Sequence, residues 1–455
     1  MFIPYPKEVD KSKYAKELKD PEVFYGLPKD VKFCRSCVIS NQRPSSTVEF
    51  KARIKQKKST IAFDENCICD ACAIRLKKSQ INWEERENQL RELCDKYRSN
   101  DGKYDCLVPG SGGKDSFMQA HLLKYKYGMN PLTATWAPHI YTDWGWKNHQ
   151  AWIHAGFDNI LFTPNGRVHR LISRLAIDNI FHPFQPFIIG QKNLAPKIAA
   201  RYDIPLIFYG ENEAEYGNPK ANMNSSTMLS KFFTATNQDE IFLGGTSLKQ
   251  LKELGLNSSD WEPYLPINPE ILESKKIEFH YLGYYEKWHP QSAYYYAVKH
   301  GGFRCAPERS AGTYSTYSSI DDRVDDFQYH TTYIKFGIGR ATYDAAQEVR
   351  SGDILREEGT ALVKKFDGEF PERWAEEVFN YLSINEKEFP EAFKHFERPN
   401  FNREYYELLC DNARSPHLWY WDEIKGWNLR STVFDNENII EQNQNAANWE
   451  GNKVR

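Results

Sequence analysis

A short glycine-rich stretch, "VPGSGGKDSF" at residues 108–117, carries the clearest chemical signal in the chain. An apolar run ends near Val108, and the pattern predicts that a helix begins at about Ser116. Glycines let a backbone approach a bulky anion, and the first turn of a helix presents unpaired N–H groups and a positive dipole end. The stretch therefore predicts a phosphate-binding loop. A glycine turn that only caps a helix, through Asp115 or Ser116, is the alternative.

The residues of this loop distinguish between kinds of phosphate site. Lys114 is followed by Asp115, so the Ser/Thr of a Walker A loop is missing, and the stretch does not supply G-x-G-x-x-G either. The pattern is S-G-G-x-D-S, which resembles the PP-loop of ATP pyrophosphatases, a group that includes asparagine, GMP and NAD synthetases and adenylating tRNA-modifying enzymes. The predicted nucleotide-binding residues are Ser111, Gly112, Gly113, Lys114, Asp115 and Ser116. Backbone N–H groups and the two serines would hold the β,γ-pyrophosphate of ATP, and Asp115 would hold Mg²⁺ and be required for catalysis.

Further charged residues follow in two segments. Glu211 and Glu215 come just after the strand-like run "IPLIFYGEN" and are candidate ligands for a metal or substrate, with an acidic surface loop as the alternative. Lys335 and Arg340 lie in "YIKFGIGRATYDAAQEVRSG". Cleavage of ATP between the α- and β-phosphates builds negative charge on departing pyrophosphate, which nearby cations stabilise. We therefore expect both cations to be catalytic, and ordinary surface charges are the alternative.

Two C-x-x-C pairs lie near the start of the chain, Cys34 with Cys37 and Cys69 with Cys72. Four thiolates in two such pairs predict a zinc-ribbon-like Zn²⁺ site. The role is expected to be structural, because four protein ligands leave no open position on the ion. Cys67 is an alternative ligand and would shift the second pair.

The elements around the phosphate loop alternate between strands and helices. "YDCLVP", "PLTATWAP", "NILFTP" and "IPLIFYGEN" have the pattern of strands, and a long helical stretch is predicted from Val168 through Ala200. This alternation predicts an α/β fold with a doubly wound parallel sheet, in which ligands bind at the carboxyl ends of the strands.

We expect four regions along the chain. These are a zinc-binding region at 1–80, an ATP-binding α/β domain at 81–250, a substrate-binding part of the catalytic domain at 251–380, and a peripheral, mostly helical and polar extension at 381–455.

The bulk composition narrows the class of protein. The 455 residues carry a formal charge of −3, which leaves no electrostatic footprint for nucleic acid as a partner. No apolar run approaches the roughly 18 residues that cross a bilayer, and the first twenty residues have no apolar signal core. We therefore expect a cytoplasmic protein without a membrane partner, in which the cysteines are reduced or metal-bound.

Six motifs, taken in order, resemble one family. They are "FCRSCVISNQRPSS", "FDENCICDAC", "PGSGGKDS", "TWAPHIYTDWGWKN", "YGENEAEYG" and "KFGIGRATYDAAQEVR". Together they resemble the N-acetyl sugar amidotransferases of bacterial surface-polysaccharide and pseudaminic-acid pathways, from about Phe24 to Pro371. Cys67 departs from that family, which has glycine there, and this leaves the register of the zinc ligands open.

The resemblance implies an ATP-dependent carbon–nitrogen ligase that converts the acetamido group of a free or nucleotide-linked sugar to an acetamidino group, as in lipopolysaccharide O-antigen biosynthesis. ATP, Mg²⁺ and Zn²⁺ are the implied cofactors. AMP would be transferred to the amide oxygen, and ammonia would then displace it. The resemblance also implies partners, a glutaminase subunit and a cyclase-like barrel subunit that together supply ammonia. Consistent with this, no cysteine stands at position 2 or in a Gly-x-Cys-x-Gly elbow, two common glutaminase layouts.

Two other classes remain open. A PP-loop tRNA-modifying enzyme, of the thiolation or lysidine type, would use the cysteines for an Fe–S cluster or for sulfur transfer, and the acidic charge balance counts against it. A non-catalytic zinc-binding assembly subunit would retain only the fold, and the intact phosphate loop counts against that.

Overall fold

The computed structural model describes residues 5–53, 56–210 and 225–435. Its strands, in chain order, are β1 (Cys106–Pro109), β2 (Pro131–Trp136), β3 (Asp158–Phe162), β4 (Leu206–Tyr209), β5 (Phe242–Leu243), β6 (Thr246–Ser247), β7 (Glu278–Tyr281), β8 (Trp419–Asp422) and β9 (Gly426–Leu429). Its α-helices are α1 (Asp70–Lys78), α2 (Trp83–Tyr97), α3 (Lys114–His121), α4 (Asp143–His154), α5 (Gly166–Ile180), α6 (Gln185–Tyr202), α7 (Leu248–Glu253), α8 (Ser258–Trp261), α9 (Pro269–Lys275), α10 (Leu282–Tyr285), α11 (Pro290–Gly301), α12 (Asp325–Phe336), α13 (Arg340–Ser351), α14 (Arg356–Phe366), α15 (Ala375–Leu382), α16 (Pro390–Phe393) and α17 (Arg403–Ala413).

Five strands form one parallel sheet in the order β3–β2–β1–β4–β7. The chain runs outward from β1 through β2 to β3, and then crosses to the other side of β1 for β4 and β7. The strand order therefore reverses between β1 and β4, and such a switch point opens a crevice at the carboxyl ends of the strands. The loop after β1 lies at this crevice. The predicted α/β fold with a parallel sheet is confirmed.

Side chains alternate between the two faces of the sheet, and helices cover both faces. Leu107 and Ile207 belong to the core that contains side chains of α5 and α6. Cys106, Val108 and Phe208 belong to a second core with side chains of α2, α3 and α11. Strands buried on both faces have a near-continuous apolar sequence, as "CLV" and "LIF" do here.

Two elements differ from the sequence-based prediction. The stretch from Val168 through Ala200 forms two helices, because Phe181 takes a left-handed conformation with φ 48° and ends α5. Pro186 then stands in the first turn of α6, where a proline is tolerated. The fifth strand, β7, lies within 251–380, in a segment that the sequence pattern had not indicated as a strand.

The cysteine-rich region shares a core with the C-terminal helices. Side chains of Val38 and Cys72 pack in the same cluster as Ile334 of α12, Val349 of α13 and Tyr406 of α17. The start of the chain is therefore packed against its C-terminal part. Within the described ranges, no helix is long and apolar enough to cross a membrane.

Candidate functional site

The loop after β1 approaches α4 so closely that it needs glycine. Gly112 has φ +86°, and a Cβ there would lie 2.9 Å from both the carbonyl oxygen of Asn148 and the Cα of His149. The N–H of Gly110 donates to the carbonyl of Ala134 at 2.9 Å, which ties the loop to β2. The loop is therefore held between the sheet and α4 without a side chain in the way.

The N-terminus of α3 follows the loop directly. Gly113 is its N-cap residue, and no side chain in the described part of the chain caps it. The first N–H groups of a helix have no partner within the helix, so they remain available to an anion. The helix begins two residues earlier than predicted, at Lys114, and this places Asp115 in its first turn. Here the sequence prediction of a strand, a glycine loop and a helix is confirmed.

The carboxylate of Asp115 has two side-chain partners. It accepts a hydrogen bond from the indole Nε1 of Trp288 at 3.0 Å and another from the ammonium of Lys114 at 2.5 Å. The hydroxyl of Ser116 donates to the carbonyl of Gly113 at 3.1 Å. Trp288, which stands just before α11, thus fixes the orientation of the carboxylate that the sequence indicated.

This loop opens into a cavity of about 810 Å³. Its walls come from the loop with α3, from the segment before α12 with α12 and α13, and from the cysteine-rich region. The lining residues include Ile39, Arg43, Ser111, Asp115, Trp288, Asp321, Asp325, Tyr343, Gln347 and Arg350. The sequence-predicted Gly113, Lys114, Ser116 and Arg340 also line it.

Helix α13 lays one polar face along the cavity. The residues that share this face are Arg340, Tyr343, Asp344, Gln347 and Arg350, which are three or four positions apart. At a rise of 1.5 Å per residue, the ten steps from Arg340 to Arg350 correspond to about 15 Å along the helix axis. The face is therefore long enough to contact two ligands bound end to end.

Arg340 is held in place by its neighbours at the start of α13. Its Nε donates to Asp344 at 3.1 Å, its Nη2 donates to the carbonyl of Ser318 at 2.8 Å, and its guanidinium lies 4.0 Å from the ring centroid of Tyr329. Burial opposes the charge, but Asp344, Tyr329 and Asp325 outweigh it and raise the pKa of Arg340. The predicted cation is thus a fixed positive charge on the wall of the cavity.

Two acidic residues of the cavity were missed by the sequence analysis, Asp321 and Asp325. Burial raises the pKa of both, and it raises the pKa of the neighbouring Asp326 to about 6. The hydroxyl of Ser111 in the loop donates to Asp321, and the charge of Arg340 partly offsets the burial of Asp325. The acidic run "IDDRVDD" was visible in the sequence, but it did not reveal which acids face the loop.

The acidic segment is brought to the loop by α4. The hydroxyl of Thr142 donates to the carbonyl of Ile320 at 2.6 Å, and its N–H donates to the carbonyl of Asp321 at 3.0 Å. A Cβ on Gly145 would lie 2.5 Å from the Cα of Asp321. The first turn of α4 therefore packs directly on the segment that carries the acids.

One predicted site residue, Lys335, lies elsewhere, and two others fall outside the described residues. Lys335 is not among the residues that line the cavity; its ammonium donates to the carbonyl of Ile180 at 2.8 Å. Burial, with a smaller contribution from Lys58, lowers the pKa of Lys335 to about 7. Glu211 and Glu215 lie outside the described residues.

The four predicted zinc ligands come together. Cys34, Cys37, Cys69 and Cys72 are buried, and their sulfur atoms all lie within 4.8 Å of one another. The Sγ–Sγ distances from Cys34 to Cys72 and from Cys37 to Cys69 are both 3.8 Å. A tetrahedral Zn²⁺ with Zn–S bonds of about 2.3 Å gives an S–S separation of about 3.8 Å, so this cluster fits the ion.

The positions of the sulfur atoms also decide between the two possible sets of zinc ligands. Cys67 is outside the group of four and has a positive φ of 59°. The backbone N–H groups of Ser36 and Cys69 approach the Sγ of Cys34 at 3.4 and 3.3 Å, as donors to a thiolate would. The structure thus supports the register of two C-x-x-C pairs. In the described part of the chain, no other group of three or more acidic, histidine or cysteine side chains is close enough to hold a metal by itself.

Comparison with known proteins adds two findings. Residues 311–433 match the family model for the C-terminal domain of WbpG-like lipopolysaccharide biosynthesis proteins. A stretch of 75 residues is 36% identical to an uncharacterized protein of Methanocaldococcus jannaschii and covers 16% of this chain and 27% of that protein. The chain thus matches only about a quarter of that relative's length. The domain match contains α12 and α13, which form one wall of the cavity, and it indicates a role in glycan biosynthesis.

Proposed function

We propose that this chain is an ATP-dependent amidotransferase that converts the acetamido group of a sugar to an acetamidino group in surface-glycan biosynthesis. One observation carries the proposal: the glycine loop of PP-loop pattern and the domain that resembles WbpG-like proteins face the same cavity. A nucleotide held by the loop would then lie next to whatever the second wall binds. The family resemblance of the six motifs supplies the amidine-forming reaction.

The chemistry needs two displacements. The amide oxygen attacks the α-phosphorus of ATP, the bond to the bridging oxygen breaks, and pyrophosphate leaves. The nitrogen of ammonia then attacks the activated carbon, AMP leaves with the former carbonyl oxygen, and one proton is lost. The net change on the sugar is the replacement of O by NH. The protein contributes positioning, charge stabilisation and exclusion of water.

The residues of the loop would act on the phosphates. Unpaired N–H groups at the start of α3, with the hydroxyls of Ser111 and Ser116, would hold the β,γ-pyrophosphate. Asp115 would bind Mg²⁺ together with phosphate oxygens, since Mg²⁺ is commonly bound by one or two carboxylates plus substrate phosphates. On the wall formed by α13, Arg340 would stabilise the negative charge of the departing pyrophosphate. Lys335 makes no contact with the cavity, so its catalytic role stays a prediction.

The size of the cavity is compatible with this reaction. Sites for small molecules commonly measure about 300–1,000 Å³, and this cavity of about 810 Å³ lies in the upper part of that range. The polar face of α13 extends the same space away from the loop. There is thus room for a nucleotide and for part of a second substrate.

The proposal is tested by Asp115→Asn. The full-length chain is incubated with ATP, Mg²⁺, an ammonium salt and a panel of acetamido sugars, and both pyrophosphate and AMP are quantified. We expect the variant to lose at least about a hundredfold in pyrophosphate release, the scale found when one transition-state contact is removed. The matched control is Asp95→Asn, which changes an exposed carboxylate on α2 and should behave as wild type.

Mass spectrometry of the sugars then identifies the product by the exchange of O for NH. Unchanged pyrophosphate release in Asp115→Asn at saturating substrate would contradict the role of this residue. Formation of ADP and phosphate instead of AMP and pyrophosphate would overturn the proposed reaction.

A further inference from the structure

Four carboxylates line the cavity, those of Asp115, Asp321, Asp325 and Asp344. Three of them accept a hydrogen bond from another side chain: Asp115 from an indole at 3.0 Å, Asp321 from a serine of the loop, and Asp344 from a threonine at 2.6 Å. Within the ranges that the structure describes, no donor makes a hydrogen bond to the carboxylate of Asp325. The acceptor oxygens of this carboxylate are therefore available to a ligand in the cavity.

Asp325 is nevertheless deeply placed. It lies in the first turn of α12 and is only 7% exposed. Its carboxylate lies 3.7 Å from the Nη1 of Arg340, an ion pair that is longer than a hydrogen bond. Buried acceptors are normally satisfied by a donor from the protein, from water or from a ligand, because an unsatisfied one costs free energy. Asp325 thus calls for a donor that the described side chains do not supply.

Asp325 is close to both groups that would hold the nucleotide. Asp321, which accepts from Ser111 of the phosphate loop, is near enough to act on the charge of Asp325. Arg340, the other neighbour, is the cation proposed for the departing pyrophosphate. In the activated sugar only one oxygen would separate the α-phosphorus from the reacting carbon. A carboxylate beside the phosphate-binding groups would therefore lie close to that carbon.

We propose that Asp325 is the general base of the second displacement, and that its carboxylate accepts the proton which the nitrogen of ammonia loses as AMP departs. The inference rests on the proposed function, because it assigns a residue to the amidine-forming step. A proton acceptor must lie within hydrogen-bond reach of the proton that it takes. Among the carboxylates of the cavity, Asp325 is the one that still has this contact to make.

The step balances in atoms and charge. The lone pair of ammonia forms the new C–N bond, so the nitrogen becomes positively charged. Asp325 then takes one proton, and the electrons of that N–H bond remain on the nitrogen and form the C=N bond of the amidine. The C–O bond breaks at the same carbon, and its electron pair leaves on the oxygen of AMP. The carboxylic acid formed on Asp325 returns its proton to solvent when the cavity opens to product.

The surroundings of Asp325 suit this role. Burial raises the pKa of Asp325, the charge of Arg340 partly offsets this, and the nearby Asp321, Asp326 and Asp322 raise it further. A carboxylate with a raised pKa accepts a proton more readily than one in water. Arg340 in turn favours the ionised form, which is the form that can act as a base.

The test separates the two displacements in the full-length chain. N-acetylglucosamine, N-acetylgalactosamine and their UDP derivatives are incubated with ATP, Mg²⁺ and an ammonium salt, and the sugar that gives the fastest AMP release is used. In Asp325→Asn we expect a burst of pyrophosphate equal to the amount of enzyme, at the wild-type rate. Formation of the amidino sugar should fall by at least about a hundredfold, the scale of a lost general base.

Hydroxylamine distinguishes a base from a residue that only maintains the fold. It is less basic than ammonia, so the adduct that it forms loses its proton to water more easily and depends less on a protein base. Asp325→Asn should therefore lose much less activity with hydroxylamine than with ammonia, as measured by mass spectrometry of the two products. Asp325→Glu keeps a carboxylate and should recover part of the ammonia-dependent rate.

Asp326→Asn is the matched control. Asp326 is the next residue of α12 and is 9% exposed, and burial raises its pKa to about 6, but it does not line the cavity. This variant removes a similar buried acid and should form the amidino sugar as wild type does. Melting curves of both variants show whether each is folded.

Three results would refute the assignment of Asp325. They are a wild-type rate with ammonia in Asp325→Asn, an equal loss with both nucleophiles, and loss of the pyrophosphate burst, which would place the residue in the first displacement. A failure of the proposed function looks different, because the wild-type protein would then release no AMP and pyrophosphate with any of the sugars. That result would overturn the reaction and the role of Asp325 with it.

Discussion

A comparison of Gly112, in the loop after β1, with Gly102, outside it, shows what a single residue contributes to the site. Both have a left-handed backbone, with φ +86° and +81°. A Cβ on Gly102 would meet nothing within 4 Å, whereas one on Gly112 would press against the backbone of α4. The two positions therefore share the same conformational cost and differ only in the close approach of the loop to a neighbouring helix.

We predict that Gly112→Ala and Gly102→Ala have different effects on nucleotide binding. Each should lower stability by about 1–2 kcal/mol, the cost of a left-handed conformation for a residue with a Cβ. Only Gly112→Ala should also displace the loop and weaken binding of an ATP analogue, by at least about tenfold, because the N–H groups no longer converge on the phosphates. Thermal melting and calorimetry measure the two effects. Equal affinities in the two variants would show that the close approach does not shape the site.

The residues of the site differ in how far the sequence could predict them. The position of Asp115 in the first turn of α3 was predictable, because it depends on neighbours within a few positions. Asp321, Trp288 and Arg350 were not, since each reaches the cavity through contacts between distant segments, such as the hydrogen bond from Thr142 to the carbonyl of Ile320. A pattern read along the chain does not contain such contacts.

In the cysteine-rich element, the second pair of cysteines lies at the start of α1 and the first pair contacts α14. Cys69 is the N-cap residue of α1, and Cys72 lies within this helix. Arg356 of α14 donates to the carbonyls of Cys34 and Cys37, which ties the first pair to the C-terminal helices. The element therefore links the start of the chain to the wall of the cavity.

We predict that Cys69→Ser loses bound zinc and that Cys67→Ser keeps it. A structural site with four thiolates has no spare ligand, so replacing one should lower the zinc content to well below one equivalent and lower the melting temperature. Cys67 lies outside the group of four sulfurs and serves as the control. Metal analysis and melting curves give the result. Loss of zinc from Cys67→Ser with retention in Cys69→Ser would show that the register is wrong.

The elements of the sheet were predictable where apolar runs are bounded by turns. β1, β2, β3 and β4 match the runs indicated by the sequence. The fifth strand was not, because "EFHY" in β7 is short and places Glu278 and His280 among its four residues. These polar side chains are paired with each other at 2.9 Å, a contact that periodicity does not report. Likewise, the left-handed Phe181 ends α5, and residues 181–184 separate it from α6.

At the scale of the whole molecule, the positions of the cysteines indicate whether this chain could release ammonia from glutamine by itself, since a glutaminase needs a nucleophilic cysteine. All nine cysteines lie in the described residues, and none lines the cavity. Burial raises the pKa of Cys94 and of Cys410 to about 12, and it also raises the pKa of Cys106. Buried thiols with raised pKa values are poor nucleophiles. Of the nine cysteines, four belong to the cluster and these three others have a raised pKa. The remaining two are Cys67 and Cys305, and Cys305 is exposed.

We predict that the isolated chain uses ammonium salts but not glutamine. A glutaminase needs an activated thiolate next to its substrate, and the cavity offers none. Only free ammonia is nucleophilic, so the rate at fixed total ammonium should rise by about tenfold per pH unit below the pKa of ammonium, as the neutral form increases. Formation of the amidino sugar, measured by mass spectrometry with each nitrogen source, gives the comparison.

Addition of a partner glutaminase with its barrel subunit should confer dependence on glutamine, since ammonia then arrives along a shielded path. Cys305→Ser is the control and should leave the ammonium-dependent rate unchanged. Efficient hydrolysis of glutamine by this chain alone, abolished in Cys305→Ser, would contradict the need for a partner.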